Sequence, residues 1–230
     1  MAPRVQSDGS MPVRSIPRTK PFTAAMHDIA ALREPACLLD PDGVILFVND
    51  AWERRAVERG GGDRCASSGV VGSRWLEAIA GEEPRRIHAL LLYRALRRQG
   101  GGPSGAVVHT SEDNDGETAR LVATHLEPVL VPHGMLAGVS VVHRTVRELP
   151  IAEVYAPVAG GEDGYRDAAG ELHQCSCCRR TRRAGEPEEW DYVPALVLVP
   201  PRGVRFGYCA LCLELHCAGG PAVGGPFPLP

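Results

Sequence analysis

Two cysteine pairs near the end of the chain constrain its fold more than any other feature. Cys175 and Cys178 form one C-x2-C pair, and Cys209 and Cys212 form a second. Each pair can place two sulfurs on one side of an ion, so two pairs can complete a tetrahedral zinc site. A module of about 45 residues has too small a core to fold alone, and a metal would supply the missing stability. We therefore predict a structural zinc site with these four cysteines as ligands.

The sequence leaves the ligand set and the role of the thiols open. Cys177 lies inside the first pair, and His216 and Cys217 follow the second, so any of them could replace a predicted ligand. The same cysteines could instead form a thiol-based redox switch, with the first pair joined in a reversible disulfide. Between the pairs, residues 196–199 and 204–208 are predicted to form a hairpin that returns the second pair to the first.

Composition favours a soluble, cytoplasmic protein of two modules. The chain has 230 residues, a net charge of -3 and a pI near 6.2, which gives no general attraction to nucleic acid or to an acidic membrane. No apolar run suits a signal peptide or a membrane span. In a reducing compartment, clustered cysteines are more often metal ligands or redox centres than structural disulfides.

The order of predicted elements indicates an α+β fold. A short helix is followed by two strands, further helices, and three β-rich stretches. This order implies a five-stranded antiparallel sheet with helices over one face, followed by a small zinc-ribbon-like cysteine module. The predicted helices cover residues 24–33, 51–59, 74–80 and 82–98, and the predicted strands cover 36–40, 44–48, 105–110, 118–131 and 136–144.

Composition also divides the chain into five segments. Residues 1–23 and 218–230 are rich in Pro, Gly or Ser without periodicity and are predicted to be disordered tails. Residues 24–146 form the predicted sensor-like domain. A linker, 147–173, joins it to the cysteine module, 174–217.

Three motifs in the first module resemble a PAS domain. Residues 37–52, CLLDPDGVILFVNDAW, look like its opening hairpin and first helix. Residues 72–76, GSRWL, are similar to the entry of its next helix, and residues 138–144, GVSVVHR, look like its closing strand. The resemblance covers about residues 24–146 and implies a sensing fold that binds a ligand or partner between sheet and helices.

The C-terminal segment separately resembles a cysteine-pair tail of bacterial signalling proteins. That tail has a C-x-x-C-K/R-x-x-R motif, a Trp, and then G-x-C-P-x-C. Residues 175–182, Trp190 and residues 207–212 match it. Ala210 stands where the family usually has Pro, and Cys177 is an additional cysteine.

The resemblance suggests residues for a ligand pocket and for a cofactor. Trp52 and Trp75 could line the pocket, with Leu91 and Leu92 on the same helix arc as His88, although such apolar side chains commonly fill a core. His88 could be a haem ligand, as in haem-binding PAS sensors, or a core histidine, which is the more common role. Flavin is not favoured, because residues 72–77 lack the reactive cysteine of the light-sensing branch.

These observations together predict a cytoplasmic sensor or adaptor in signal transduction. The chain has no Gly-rich phosphate loop and no G-x-S-x-G elbow, so we do not predict an enzyme. The expected partner is a signalling protein that carries the output domain, and a PAS-mediated homodimer is a further expectation. An alternative function is a transcription regulator that binds nucleic acid through the cysteine module, where residues 179–183 could contact phosphate. That arginine run is, however, more typical of a solvated surface or protein contact, so nucleic acid is not favoured.

Overall fold

The computed structural model describes residues 20–58, 65–97, 107–130, 135–199 and 201–217. The predicted tail 218–230 lies outside these residues, as does the predicted tail 1–23 except for its last four residues. Those four form the start of helix α1 (Lys20–Ala30), which begins earlier than the predicted helix 24–33.

The first module is built on a five-stranded antiparallel sheet. Its strands follow in the spatial order β2-β1-β5-β4-β3. Asp40 closes the turn between the first two strands, because its carboxylate accepts hydrogen bonds from the main-chain N–H groups of Asp42 and Val44 at 2.9 and 2.8 Å. The strands are β1 (Ala36–Leu39), β2 (Ile45–Val48), β3 (Val107–Glu112), β4 (Thr118–Leu130) and β5 (Leu136–Pro150).

Helices cover one face of this sheet and enclose the main hydrophobic core. They are α2 (Asp50–Glu58), α3 (Ser67–Val70), a 3₁₀ turn (Trp75–Ala78) and α4 (Glu82–Arg97). Helix α1 packs on the opposite face, where Ile29 contacts Ala36 and Leu38. The predicted fold class, a PAS-like antiparallel sheet with helices, is confirmed. None of the helices in the described ranges is long and apolar enough to cross a lipid bilayer.

A second, smaller sheet carries the cysteine module. Its strands are β6 (Leu172–Cys175), β7 (Thr181–Arg183), β8 (Glu186–Asp191) and β9 (Val204–Gly207), in the order β8-β7-β6-β9. Helices α6 (Pro194–Leu198) and α7 (Ala210–Cys217) flank β9.

The predicted hairpin between the cysteine pairs is wrong. Most of its first strand, 196–199, lies in α6, and β9 pairs in parallel with β6 instead. Pro194 lies at the first turn of α6, where its fixed φ favours a helix start. A short apolar run such as Leu196–Val199 does not distinguish a buried strand from a buried helix by periodicity.

The segment 147–173, predicted as a linker, carries secondary structure and buried side chains. Strand β5 extends through Pro150 and is followed by α5 (Ile151–Val154). Ile151 and Val154 are buried in a cluster that joins β4 to the cysteine module. In the same cluster, the rings of Tyr155 and Tyr192 stack with centroids 5.5 Å apart. The two modules therefore share a packed interface.

Candidate metal centre and the adjoining cavity

The four cysteines of the two pairs converge on one point. Cys175 ends β6 and Cys178 lies in the following turn, whereas Cys209 precedes α7 and Cys212 lies in its first turn. Parallel pairing of β6 with β9 sets Cys175 opposite Gly207 and so brings the second pair beside the first. All four side chains are buried, and their Sγ atoms lie within 4.8 Å of one another.

The spacing of these sulfurs suits a tetrahedral metal ion. Cys178 Sγ and Cys209 Sγ are 3.7 Å apart. Four thiolates bound to one zinc at about 2.3 Å would lie about 3.8 Å apart. Hydrogen bonds from the thiols of Cys175, Cys178 and Cys212 hold the pKa of Cys209 below its ordinary value, whereas the surrounding sulfurs raise the pKa of Cys212. Four sulfurs this close cannot all be thiolates unless a cation lies between them.

The other candidate ligands lie outside this group. Cys177 is buried beside the centre, but its sulfur is not among the four that cluster. The side chains of His216 and Cys217 lie outside the described part of the chain. A second group, Asp167, Glu171 and His173, also brings three ligand atoms within 4.8 Å, but its members are partly exposed and already pair with one another or with nearby arginines.

Arg180 supplies positive charge directly against the sulfurs. Its Nε donates to Cys178 Sγ at 3.3 Å, and its Nη2 donates to Cys209 Sγ at 3.2 Å. The guanidinium also lies over the ring of Tyr155, 5.3 Å from the centroid. Hydrogen bonds of this kind offset the negative charge of a thiolate–metal centre and orient its ligands.

Asn114 joins the centre to the sensor sheet. It follows β3, is fully buried, and donates through Nδ2 to the main-chain carbonyl of Cys178 at 3.0 Å. The same amide donates to Glu112 at 3.0 Å, and Tyr155 donates its hydroxyl to that carboxylate. Burial raises the pKa of Glu112, although these two hydrogen bonds partly offset the effect.

Two further contacts attach the module to the start of α4. Glu83 accepts a hydrogen bond from the main-chain N–H of Tyr208 at 3.1 Å, and Ser176 Oγ donates to the carbonyl of Ala80 at 3.3 Å. Gly81 lies so close to β9 that a Cβ atom there would be 2.4 Å from the carbonyl oxygen of Phe206. The centre therefore contacts the sensor module at both the end of β3 and the start of α4.

The arginine run 179–183, predicted to be a solvated surface or a protein contact, is only partly solvated: Arg183 is exposed, whereas Arg179, Arg180 and Arg182 are half-buried. Arg180 contacts the sulfurs, and Arg179 lies over the ring of Phe206 at 5.2 Å. Arg183 pairs with Asp191 at 2.5 Å. Arg182 lies 3.9 Å from Asp167.

A cavity of about 400 Å³ lies between the sensor sheet and the cysteine module. Helices α2 and α4 and the strands β4 and β5 form one wall, and the turn between Cys175 and Cys178 forms the other with β9. Its lining includes Trp52, His88, His143, Cys177, Arg179 and Phe206. A ligand in this cavity would touch both modules.

Two histidines on the sensor side of the cavity are held by hydrogen bonds. His88 Nδ1 is 2.8 Å from the carbonyl of Pro84, which makes Nδ1 the donor. His143 Nδ1 is 3.0 Å from Thr124 Oγ1. Burial, reinforced by the nearby His88, lowers the pKa of His143 to about 4, and burial also lowers the pKa of His88. Both imidazoles are therefore neutral at pH 7.

The predicted pocket residues divide between this cavity and the core. Trp52 and His88 line the cavity. Trp75, Leu91 and Leu92 lie in the buried cluster beneath the helices. Nδ1 of His88 is occupied by a carbonyl, which leaves Nε2 for any axial ligation, so the haem interpretation of this residue stays a prediction.

Sequence reasoning did not single out Arg180, Asn114 or His143. Arg180 was visible only as a member of a charged run, and no local pattern distinguishes its inward direction. Asn114 lies in an Asp-Asn-Asp-Gly turn, where its residue type is explained equally well by turn preference. The alternation of β5 could have indicated His143, because it shares the inward face with Val139 and Val141.

Comparison with known proteins gives similarity to solved PAS structures. The PAS domain of BvgS from Bordetella pertussis is 19% identical over 56% of this chain and 88% of its own, with a TM-score of 0.42. The PAS domain of an HTR-like protein from Haloarcula marismortui is 17% identical over 54% of this chain and 89% of its own, with a TM-score of 0.33. The phage VqmA–DPO complex is 15% identical over 54% of this chain and 52% of its own, with a TM-score of 0.38. No protein-family model and no curated protein matches the chain.

The sheet, its helices and the four sulfurs define the class of the molecule. It has a PAS-like fold to which a small cysteine module with a candidate metal centre is joined.

Proposed function

We propose that this protein is a cytoplasmic sensor or adaptor in signal transduction, in which a structural zinc module relays the state of a PAS-like domain to another protein. The observation that carries the proposal is the position of the four-sulfur centre against the sensor sheet. Asn114 links the carbonyl of Cys178 to the end of β3 at 3.0 Å. A change on one side of this contact alters the packing on the other side.

The zinc assignment rests on the donor set. Four buried cysteine sulfurs in two C-x2-C pairs suit a closed structural site, because they leave no open position for substrate. The output is expected to reside in a partner protein, since we propose no catalytic residues in this chain. A homodimer through the PAS-like module remains part of the proposal.

Hydrogen exchange with and without zinc tests the relay. Stripping the metal should reduce amide protection in residues 107–116 and 79–84, which contact the centre, as well as in the module itself. Adding zinc back should restore it. If the loss of protection is confined to residues 172–217, the centre does not communicate with the sensor sheet, and the relay is wrong.

One observation favours a redox switch as a second candidate. The sulfurs of Cys178 and Cys209, which belong to different pairs, are 3.7 Å apart, so these two residues are candidates for oxidation to a disulfide. Peptide mapping after mild oxidant decides between the functions. A structural zinc site resists the oxidant and retains its metal, whereas a switch releases zinc and gives a reversible 178–209 disulfide.

The nucleic-acid alternative loses most of its support from the arginine run. Of the side chains that would have to contact phosphate, Arg180 contacts two sulfurs, and Arg182 and Arg183 pair with Asp167 and Asp191. Absence of DNA binding at low salt would remove the alternative, because phosphate contacts strengthen as salt is lowered.

A further inference from the structure

Arg179 lines the cavity and has an unusual backbone conformation. It follows Cys178 and has a φ of 63°, in the left-handed region that L side chains rarely adopt; no other non-glycine residue in the described ranges has a positive φ. The turn that contains the first cysteine pair imposes this conformation. A glycine would adopt this φ without strain. An arginine here places a side chain in the cavity but carries the conformational cost of the left-handed backbone.

The guanidinium of Arg179 has no carboxylate ion-pair partner among the described residues, unlike Arg182 and Arg183 in the same run. The guanidinium carbon lies over the face of the Phe206 ring, 5.2 Å from its centroid. Such stacking leaves the edge of the guanidinium available for a bidentate hydrogen bond to a carboxylate.

The carboxylates that also face the cavity are engaged elsewhere. Asp113 attracts Arg179 electrostatically but forms an ion pair with Arg55. Glu112 accepts hydrogen bonds from Tyr155 and Asn114. Of the two arginines among the described lining residues, Arg55 pairs with Asp113, which leaves the positive charge of Arg179 for a ligand.

The remaining lining suits a flat ring. The rings of Trp52 and His143 lie with centroids 6.0 Å apart and planes tilted by 50°, and His88 and Phe206 add aromatic surface. Aromatic surface with a few placed polar or charged groups is typical of small-molecule sites, and a volume of about 400 Å³ lies within their usual range.

We propose that this cavity binds a small planar organic carboxylate, with its carboxylate on Arg179 and its ring among Trp52, His143 and Phe206. This inference rests on the proposed function, because it names the class of ligand that the sensor would detect. The ligand would contact Ser176 and Cys177, which lie between two metal-binding cysteines. Zinc holds the turn that positions Arg179, so ligand affinity and zinc occupancy are coupled.

Binding of matched probes to the full, zinc-loaded chain tests the proposal. The probes are indole-3-acetate and benzoate, each compared with its uncharged amide, and binding is followed by amide chemical shifts of cavity residues. Each carboxylate should bind at least about tenfold tighter than its amide. Arg179→Gly removes the guanidinium and relieves the backbone strain, so it should abolish this preference while zinc content stays unchanged. Arg202→Gln, at an exposed arginine outside the cavity, should keep the preference.

Removing zinc should weaken carboxylate binding by at least about threefold in the wild-type chain. Equal binding of acid and amide, full carboxylate binding by Arg179→Gly, or no shift of cavity residues with either acid at about 10 mM would each overturn the proposal. Hydrogen exchange on the same samples distinguishes a failure of the ligand proposal from a failure of the proposed relay. If the zinc-dependent protection of residues 107–116 persists while no carboxylate binds, the ligand class is wrong and the relay stands.

Discussion

Asn114 donates its side-chain amide to the main-chain carbonyl of Cys178, 64 residues further along the chain, at 3.0 Å. The contact is fully buried and lies between the last residues of β3 and the turn that holds the first cysteine pair. It makes the position of the candidate metal centre depend on the sensor sheet.

Replacing this amide should weaken both folding and metal binding. Asn114→Ala leaves the buried carbonyl of Cys178 without its side-chain donor and removes one of the two hydrogen bonds to the carboxylate of Glu112, which should cost about 1–3 kcal/mol of unfolding free energy. Loss of an outer-shell contact should also reduce zinc affinity about 10- to 100-fold. Urea denaturation and chelator competition measure the two effects.

Asn49→Ala is the matched control for this change. Asn49 is buried to a similar degree and donates to the carbonyls of Ile29 and Glu34 at 3.1 and 2.9 Å, entirely within the sensor module. It should lower stability without a selective loss of zinc affinity. If both variants reduce zinc affinity equally, Asn114 has no particular link to the metal centre.

Arg180 should control the pH at which zinc is released. Thiolates must compete with protons for the metal, and the two N–H groups of Arg180 on Cys178 and Cys209 favour the thiolate form. Arg180→Gln should therefore raise the midpoint pH of zinc release and lower affinity about tenfold at pH 7. Chelator titrations between pH 5 and 7.5 measure the midpoint pH of zinc release, with Arg183→Gln as a control at a more distant arginine. An unchanged midpoint in Arg180→Gln would mean that Arg180 does not stabilise the thiolates.

Gly81 tests how closely the cysteine module contacts α4. Gly81 and Gly72 have nearly equal φ angles of +92° and +90°, but a Cβ at Gly81 would lie 2.4 Å from the Phe206 carbonyl oxygen, whereas one at Gly72 meets nothing within 4 Å. Both alanine substitutions should cost about 1–3 kcal/mol of unfolding free energy through backbone strain.

Gly81→Ala should cost about 1–3 kcal/mol more than Gly72→Ala, because the backbone of β9 must move away. Thermal unfolding of both variants gives the difference, and hydrogen exchange in residues 204–208 locates it. Equal costs would mean that β9 does not rest against the start of α4.

His143 should make the stability of the sensor module depend on pH. Its pKa in the folded protein is lowered from 6.5 to about 4, so the unfolded chain binds a proton that the folded chain does not between these values. Stability should therefore be complete above about pH 6.5 and fall by up to about 2–3 kcal/mol as the pH drops toward 4. His143→Gln should flatten this slope. NMR titration of the His143 imidazole in the folded protein measures its pKa directly. A midpoint near 6.5 would mean that His143 does not cause the pH dependence.

The parts of the molecule predicted from sequence are those encoded by local signals. The turn Asp40-Pro-Asp-Gly43 and its flanking apolar runs predicted the first hairpin. The run from Glu82, with acids at its start and arginines at its end, predicted α4 nearly to its boundaries. The spacing of the four cysteines predicted their convergence, because two C-x2-C pairs commonly supply the four ligands of one tetrahedral metal site.

The contacts between the modules could not be predicted in this way. Parallel pairing of β6 with β9 joins residues about 32 positions apart, for example Cys175 with Gly207, and leaves no periodic pattern. The inward direction of Arg179 and Arg180 depends on the left-handed turn after Cys178, which composition cannot indicate. Asn114 acts through a tertiary contact with a distant carbonyl, so its role became visible only from the fold.

Metal analysis combined with X-ray absorption at the zinc edge tests the central claim most directly. We predict one zinc per chain, bound by four sulfurs at about 2.3 Å, retained in Cys65→Ser and Cys177→Ser and lost or greatly weakened in Cys175→Ser and Cys209→Ser. A metal-free protein, a site with nitrogen or oxygen ligands, or full zinc retention in Cys209→Ser would contradict the account.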